Sequence, residues 1–340
     1  MKEKHFCFFE DVIHRYQFET SICKLSFQYL KKRPVERQCK EASMIYLIQH
    51  ILVRVGDLNR YSNQIELSKI FYQYAIETIP CLGQAYNQIA ILHEMKNPTS
   101  LLNPGQNQLI TAYFYVRSIA IKVMFPSAVA NLEKFFQRFK DIPLTRYQNE
   151  EFNENDFLSL FLKIISMINL DRDSSEIEPL VNKFRSFLMK YFNMNHFIYM
   201  ITIIMFTCHR SLGYLSRASM TNKPSEQQFD EILQLFLILI EQCLETSQLP
   251  LSMMTIDEQE LLPILYLSFI YLANIQKTKL ELFNHSAFKQ KTNMWNSLAK
   301  LLRSFGVSAR TSKGRFNRTS SFYSNFFSFR WKRIDSREIC

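Results

Sequence analysis

The densest concentration of chemistry-bearing residues lies at the C-terminal end. From Gly306 to Cys340, eight Lys and Arg stand against two Asp and Glu, so this stretch holds +6 of the whole-chain net charge of +10. Arg310, Lys313, Arg315, Arg318, Arg330, Lys332 and Arg333 are interleaved with Phe316, Phe322, Tyr323, Phe326, Phe327, Phe329 and Trp331. Cations at this density neutralise phosphates and release counterions, and aromatic rings stack on unpaired bases. The seven cations and Trp331 are therefore candidate nucleic-acid contacts. The same stretch has no helical period, and its first reading is a disordered end; the other is a nucleic-acid- or partner-binding segment that folds on contact.

Elsewhere the chemistry is sparse. There is no Gly-rich phosphate loop, no HExxH, no GxSxG and no cluster of carboxylates. Cys208 and His209 are adjacent, but they sit in a very apolar stretch with no second pair to complete a metal site, so a buried histidine is the expectation. Cys7, Cys23, Cys39, Cys81, Cys208, Cys243 and Cys340 are scattered without CxxC spacing. Free thiols in apolar patterns act as small hydrophobes and imply a reducing compartment, cytoplasm or nucleus. We expect no enzyme, no cofactor and no metal.

The elements that would carry these residues are helices. The 340 residues contain only 6 glycines, too few for the turns and bulges of a β-rich fold, and 47% are hydrophobic. Met44, Ile48, Ile51, Leu52, Val55 and Leu58 form one apolar stripe, and Leu67, Ile70, Phe71, Tyr74 and Ala75 a second. A helix over 84–95 precedes a polar loop with Pro98, Pro104 and Gly105. Leu109, Ala112, Tyr113, Val116, Ala120 and Val123 resume the period, followed by Ala128, Leu132, Phe135, Phe136 and Phe139. After a polar connector, Phe157, Leu160, Phe161, Ile164, Ile165 and Ile168 make a further stripe, with Ile177, Leu180, Val181, Phe184, Leu188 and Tyr191 as its neighbour. Helices over 195–212, 227–245, 258–275 and 292–305 complete the series.

Two units end alike, YAIETIP (74–80) and SIAIKVMFP (118–126), each with a small Ala and a terminating Pro. This is tetratricopeptide-like punctuation, and Gly56 stands where such repeats place a glycine in their first helix. The start MKEKHFCFFED does not read as a signal peptide. Phe197–Phe206, Ile232–Ile240 and Leu261–Ile275 are membrane-like but short of the roughly 20 residues needed to span, and read as buried helices with no membrane role.

One succession is more specific. GDLNRYSNQ (56–64), FYQYAIETIP, AYNQIAIL (85–92) and TAYFYVRSIAIKVMFPSAVANLEKFF (111–136) resemble the ever-shorter-telomeres and Smg family, whose members act in telomerase recruitment and nonsense-mediated mRNA decay. FIYMITIIMFTCH (197–209) and ELLPIL (260–265) look most like its telomerase-binding Smg-six branch. The resemblance covers roughly residues 8–305. It implies an all-α fold, with a 14-3-3-like/TPR-like helical repeat over 1–140, a linker over 141–156, and a helical-hairpin domain of DNA/RNA-binding type over 157–305, an α-solenoid of antiparallel hairpins. Residues 306–340 lie beyond it as the basic aromatic tail.

By analogy with the 14-3-3 groove, Arg60 and Tyr61 would bind phosphate oxygens and Asn87 would hold a bound peptide's backbone. Read from the residues alone, Arg60 falls about 200° past Leu58 and so points away from the stripe, where it would sit on the surface paired with Asp57. The opening FFEDVIHRYQFE looks like the family's fourth helix, so the family's earlier basic helices are expected to be missing. Lys24, Lys31, Lys32 and Arg33 do not match their motif. Nothing resembles the Smg-six nuclease domain or its acidic cluster. The resemblance thus implies a non-enzymatic adaptor whose partners are phosphorylated mRNA-surveillance or telomerase-complex proteins, RNA or telomeric single-stranded DNA, and a related family member as heterodimer. The alternative is a TPR-type scaffold with no phosphate or nucleic-acid role.

Overall fold

The computed structural model describes residues 35–95, 104–148, 152–170, 176–191, 193–212 and 226–246, with further helical positions at 265, 268–272, 274–275, 294 and 296–297. The opening segment with Lys24, Lys31, Lys32 and Arg33, most of the two last expected helices, and the tail with Arg310, Lys313, Arg315, Arg318, Arg330, Trp331, Lys332 and Arg333 lie outside the described residues. Two compact units are present, Met1–Phe236 and Leu237–Cys340. In the second, the described positions are helical.

The first unit is all-α, and its described residues contain no strand. Its helices are α1 (Val35–Tyr61), α2 (Ile65–Thr78), α3 (Gly83–Glu94), α4 (Pro104–Ala120), α5 (Ser127–Lys140), α6 (Glu154–Asn169), α7 (Ile177–Tyr191) and α8 (Met194–Ser211). The helix α9 (Glu226–Thr246) begins in this unit. A 3-10 turn, Leu144–Gln148, lies between α5 and α6. Neighbouring helices pack in hairpin succession, α1 on α2, α2 on α3 and α3 on α4. Among the described residues no helix is long and apolar enough to cross a membrane.

Pro104 and Gly105, expected in a loop, instead open α4. Proline is tolerated in the first helical turn because its missing N–H would have had no partner there. The two Pro-terminated unit ends are stitched together. Gly83 N donates to Val123 O at 2.9 Å and Val123 N to Cys81 O at 3.1 Å, forming an isolated parallel bridge between Leu82 and Val123. Ser118 Oγ donates to Gly83 O at 2.6 Å.

The helix α6 is the centre of the unit, packed against α4, α5, α7 and α8. Its stripe is buried as expected, but so is the rest of the helix from Phe157 to Asn169. Its polar groups are therefore paired. Lys163 Nζ donates to the carbonyls of Lys140 and of Ile142, the latter at 2.8 Å, and so caps the end of α5. Asn169 Nδ2 donates to Ile165 O, and Arg210 Nη1 to Asn169 O at 3.1 Å. Asn153 and Asp156 close the helix start with a capping box. The stripes of α5 and α7 are likewise inward, Tyr191 being half-buried.

The first two helices differ from expectation. Met44, Ile48, Ile51 and Leu58 on α1 are exposed, as are Leu67, Ile70 and Tyr74 on α2. The face of α1 that meets α2 carries Val53, Gly56, Asp57 and Arg60, and the facing residues of α2 are Ser68, Tyr72, Ala75 and Ile76. Burial here follows close backbone approach and hydrogen bonding, so the more apolar stripe is not the one that is packed.

Candidate functional site

Arg60 and Tyr61 end α1. The chain reverses there through Asn63, whose φ of 59° lies in the left-handed region that Asn tolerates better than most residues. Asn63 N donates to Arg60 O at 3.0 Å and Gln64 N to Asn59 O at 2.8 Å, the paired bonds of a Schellman cap. The cap fixes the pair at the helix terminus, where a cation also complements the negative end of the helix dipole.

The expectation that Arg60 points to solvent is corrected by the structure. Its side chain is only 14% exposed, because the packed face of α1 is rotated from the apolar stripe used to place it. Arg60 Nε donates to Tyr72 Oη at 3.3 Å, and Nη2 lies 3.6 Å from Asp57 Oδ1. The expected Asp57 pairing is therefore present, but at the α1–α2 interface rather than on the surface. Tyr72 Oη donates to Asp57 Oδ1 at 2.8 Å, and Arg54 Nη1 reaches Asp57 Oδ2 at 3.4 Å. Tyr61, 77% exposed, lies with its ring centroid 4.4 Å from the guanidinium carbon of Arg60.

This network depends on Gly56. A Cβ there would sit 2.4 Å from Tyr72 Cε1, so only glycine admits the ring. Ser68 Oγ donates to Gly56 O at 2.8 Å across the same contact. Burial pushes the Tyr72 phenol up to about 12; the hydrogen bond from Arg60 opposes this and Asp57 reinforces it. Burial also works against the Arg60 charge, but hydrogen bonds to Tyr72 and Tyr61 outweigh it and hold the guanidinium above its ordinary value. The cluster of two arginines and one carboxylate carries a net positive charge.

Asn87, to which the resemblance gives a peptide-holding role, lies on α3. It is 1% exposed, and its Oδ1 accepts from Asn131 Nδ2 on α5 at 2.9 Å. As placed, it joins α3 to α5.

A further buried cation was not legible in the sequence. Arg117 on α4 donates to Tyr113 Oη at 3.0 Å and Tyr86 Oη at 2.9 Å, with its guanidinium carbon 4.8 Å from the Tyr86 ring centroid. It is buried and serves packing of α3 on α4. Cys208 is buried as a free thiol, and among the described residues no group of His, Cys, Asp and Glu is arranged to hold a metal ion.

Comparison with known proteins bears on the fold and on the family. A zebrafish (Danio rerio) nonsense-mediated mRNA decay factor SMG7 is 28% identical over 271 residues, which is 78% of this chain and 22% of that protein. An SMG7-like decay factor of Arabidopsis thaliana is 28% identical over 118 residues, 32% of this chain and 12% of that protein. The chain thus spans about a fifth or less of the length of these relatives. A solved structure, that of the C. elegans SMG5–SMG7 complex, superposes with a TM-score of 0.56 at 16% identity, covering 87% of this chain and 65% of the other. It supports the helical architecture. The family model described as the Est1 DNA/RNA binding domain matches residues 68–326, from the α2 turn that holds Ser68 and Tyr72 through the helices packed around α6 and beyond. With more than half of its length matched, the chain belongs to the Est1 DNA/RNA-binding-domain family.

Proposed function

We propose that this chain is a non-enzymatic adaptor of mRNA surveillance or telomere maintenance that binds phosphorylated protein segments at Arg60 and Tyr61. The observation that carries this reading is the fixed guanidinium of Arg60 at a capped helix end, beside the exposed ring of Tyr61. A guanidinium suits a phosphate monoester because its planar fork donates charge-assisted hydrogen bonds to a group of about −1.5 to −2 charge. Asn87, its Oδ1 engaged by Asn131 Nδ2 on α5, is the residue we expect to hold the backbone of the bound peptide.

The test is binding of a phosphoserine peptide against its unphosphorylated twin. The phosphorylated form binds more tightly, and Arg60→Ala removes most of the difference, since such hydrogen bonds contribute about 1.5–3 kcal/mol each. Equal binding of both peptides to the wild type refutes the reading.

The charge distribution favours an additional role. With +6 of the +10 charge in residues 306–340, affinity for single-stranded RNA or DNA is expected to reside chiefly there, through Arg310, Lys313, Arg315, Arg318, Arg330, Trp331, Lys332 and Arg333. Deleting 306–340 then weakens binding and flattens its salt dependence; unchanged binding assigns it to the helices. The likeness to a chain of the SMG5–SMG7 complex supports a heterodimer with a related family member as a further partner. Action in cytoplasm and nucleus accords with the scattered cysteine spacing, which contains no CxxC pair. Division into a 1–140 phosphopeptide module, a 141–156 linker and a 157–305 nucleic-acid module is part of the same proposal.

A further inference from the structure

We propose that Tyr72 and Asp57 are positioning residues for Arg60, which hold its guanidinium by one edge and leave the other edge set for two oxygens of a phosphate monoester. This rests on the phosphate reading above and adds to it the device that orients the receptor.

The argument is one of donor geometry. A guanidinium is planar and offers five N–H donors on two usable edges, a side edge of Nε and Nη2 and an end edge of Nη1 and Nη2. Two of its partners lie on the side edge, Tyr72 Oη at 3.3 Å from Nε and Asp57 Oδ1 at 3.6 Å from Nη2. The Tyr61 ring covers a face of the group at 4.4 Å. The end edge, which carries one hydrogen of Nη1 and one of Nη2, is directed away from these two partners by the planarity of the fork. A tetrahedral dianion meets such an edge through two parallel N–H bonds.

Tyr72 does two jobs through one hydroxyl. It accepts from Arg60 Nε and donates to Asp57 Oδ1 at 2.8 Å, so the carboxylate and the guanidinium are oriented by the same oxygen. The ring bearing that hydroxyl is clamped against the bare Cα of Gly56. Arg54 offsets the Asp57 carboxylate at 3.4 Å, so the carboxylate can hold Arg60 without cancelling the cluster's positive charge. A preformed fork avoids the ordering cost that a free arginine side chain meets on binding.

The experiment uses the full chain and a fluorescein-labelled degenerate peptide pool with one fixed central phosphoserine, compared with the same pool unphosphorylated. The quantity read is the ratio of the two affinities. Tyr72→Phe removes only the hydroxyl and is expected to lower this ratio about five- to tenfold while leaving affinity for the unphosphorylated pool unchanged. A merely structural role would lower stability without moving the ratio. Arg60→Lys keeps the charge but has no side edge to be held, so Tyr72→Phe should have no further effect in that background. Asp57→Asn, which preserves shape, provides an independent reading should Tyr72→Phe fold poorly, and is expected to lower the ratio likewise.

If Arg60→Ala abolishes the ratio but Tyr72→Phe and Asp57→Asn leave it intact, Arg60 binds phosphate without being positioned and the inference is overturned. If the wild type does not discriminate between the pools, the phosphate reading itself falls, and the positioning role with it.

Discussion

Replacing Gly56 with alanine sets two effects against each other. In an exposed helix, Gly→Ala gains about 1 kcal/mol from reduced backbone entropy. Here the added Cβ would lie 2.4 Å from Cε1 and 2.6 Å from Cδ1 of Tyr72, more than 1 Å inside ordinary contact. The ring cannot retreat cheaply, because Tyr72 is fully buried and its hydroxyl is bonded to Asp57. Overpacking of this kind costs about 1–3 kcal/mol, and losing the hydrogen bond to the charged carboxylate adds about 1.5–3 kcal/mol. After the helix gain is deducted, Gly56→Ala should destabilise by about 1.5–5 kcal/mol. Urea unfolding followed by circular dichroism measures it. In a Tyr72→Ala background the clash is gone, and Gly56→Ala should be neutral or stabilising by about 1 kcal/mol. Destabilisation of equal size in both backgrounds would show that the Gly56–Tyr72 contact is not the cause.

Other perturbations separate the remaining parts of the account. Lys163→Met should cost about 2–3 kcal/mol in urea unfolding, because the carbonyls of Lys140, which ends α5, and of Ile142 just after it lose a charged donor; a neutral effect would deny it a capping role. Val53→Ala, at a fully buried position, should cost about 2 kcal/mol, whereas Leu58→Ala, 66% exposed, should stay within about 0.5 kcal/mol. The reverse order would return the packed face of α1 to its apolar stripe. Burial holds both His93 and His196 below their ordinary value near 6.5, opposed by the Asn107 hydrogen bond at His93 and by Glu154 at His196. The unfolded chain therefore binds more protons as pH falls through about 6.5, so stability present above that pH is lost below it. The urea midpoint should fall between pH 7.5 and 5.5, and fall less in a His93→Gln/His196→Gln double variant.

Helix existence was legible in this sequence because periodicity is a local property of the chain. For α5, α6 and α7 the packed face was legible too: Leu132, Phe136, Phe157, Phe161, Phe184 and Leu188 are all buried where their spacing placed them. Those helices each have one dominant apolar stripe, or none that is polar, so area alone decides their orientation. The helix α1 was misread in the same terms, since its stripe through Met44, Ile48, Ile51 and Leu58 outranks the face through Val53, Gly56 and Asp57 in hydrophobicity but not in closeness of fit. What selects that face is a glycine opposite a tyrosine, and a carboxylate that needs a hydroxyl 15 residues away. Sequence and family resemblance singled out Arg60 and Tyr61 as neighbours. Only the folded chain decided that Arg60 turns inward onto Tyr72 and Asp57, and that Asn87 turns to Asn131, because those partners come from other turns and other helices. A helical period records which side chains share a face; it carries no information about which face another helix will approach closely enough to bond.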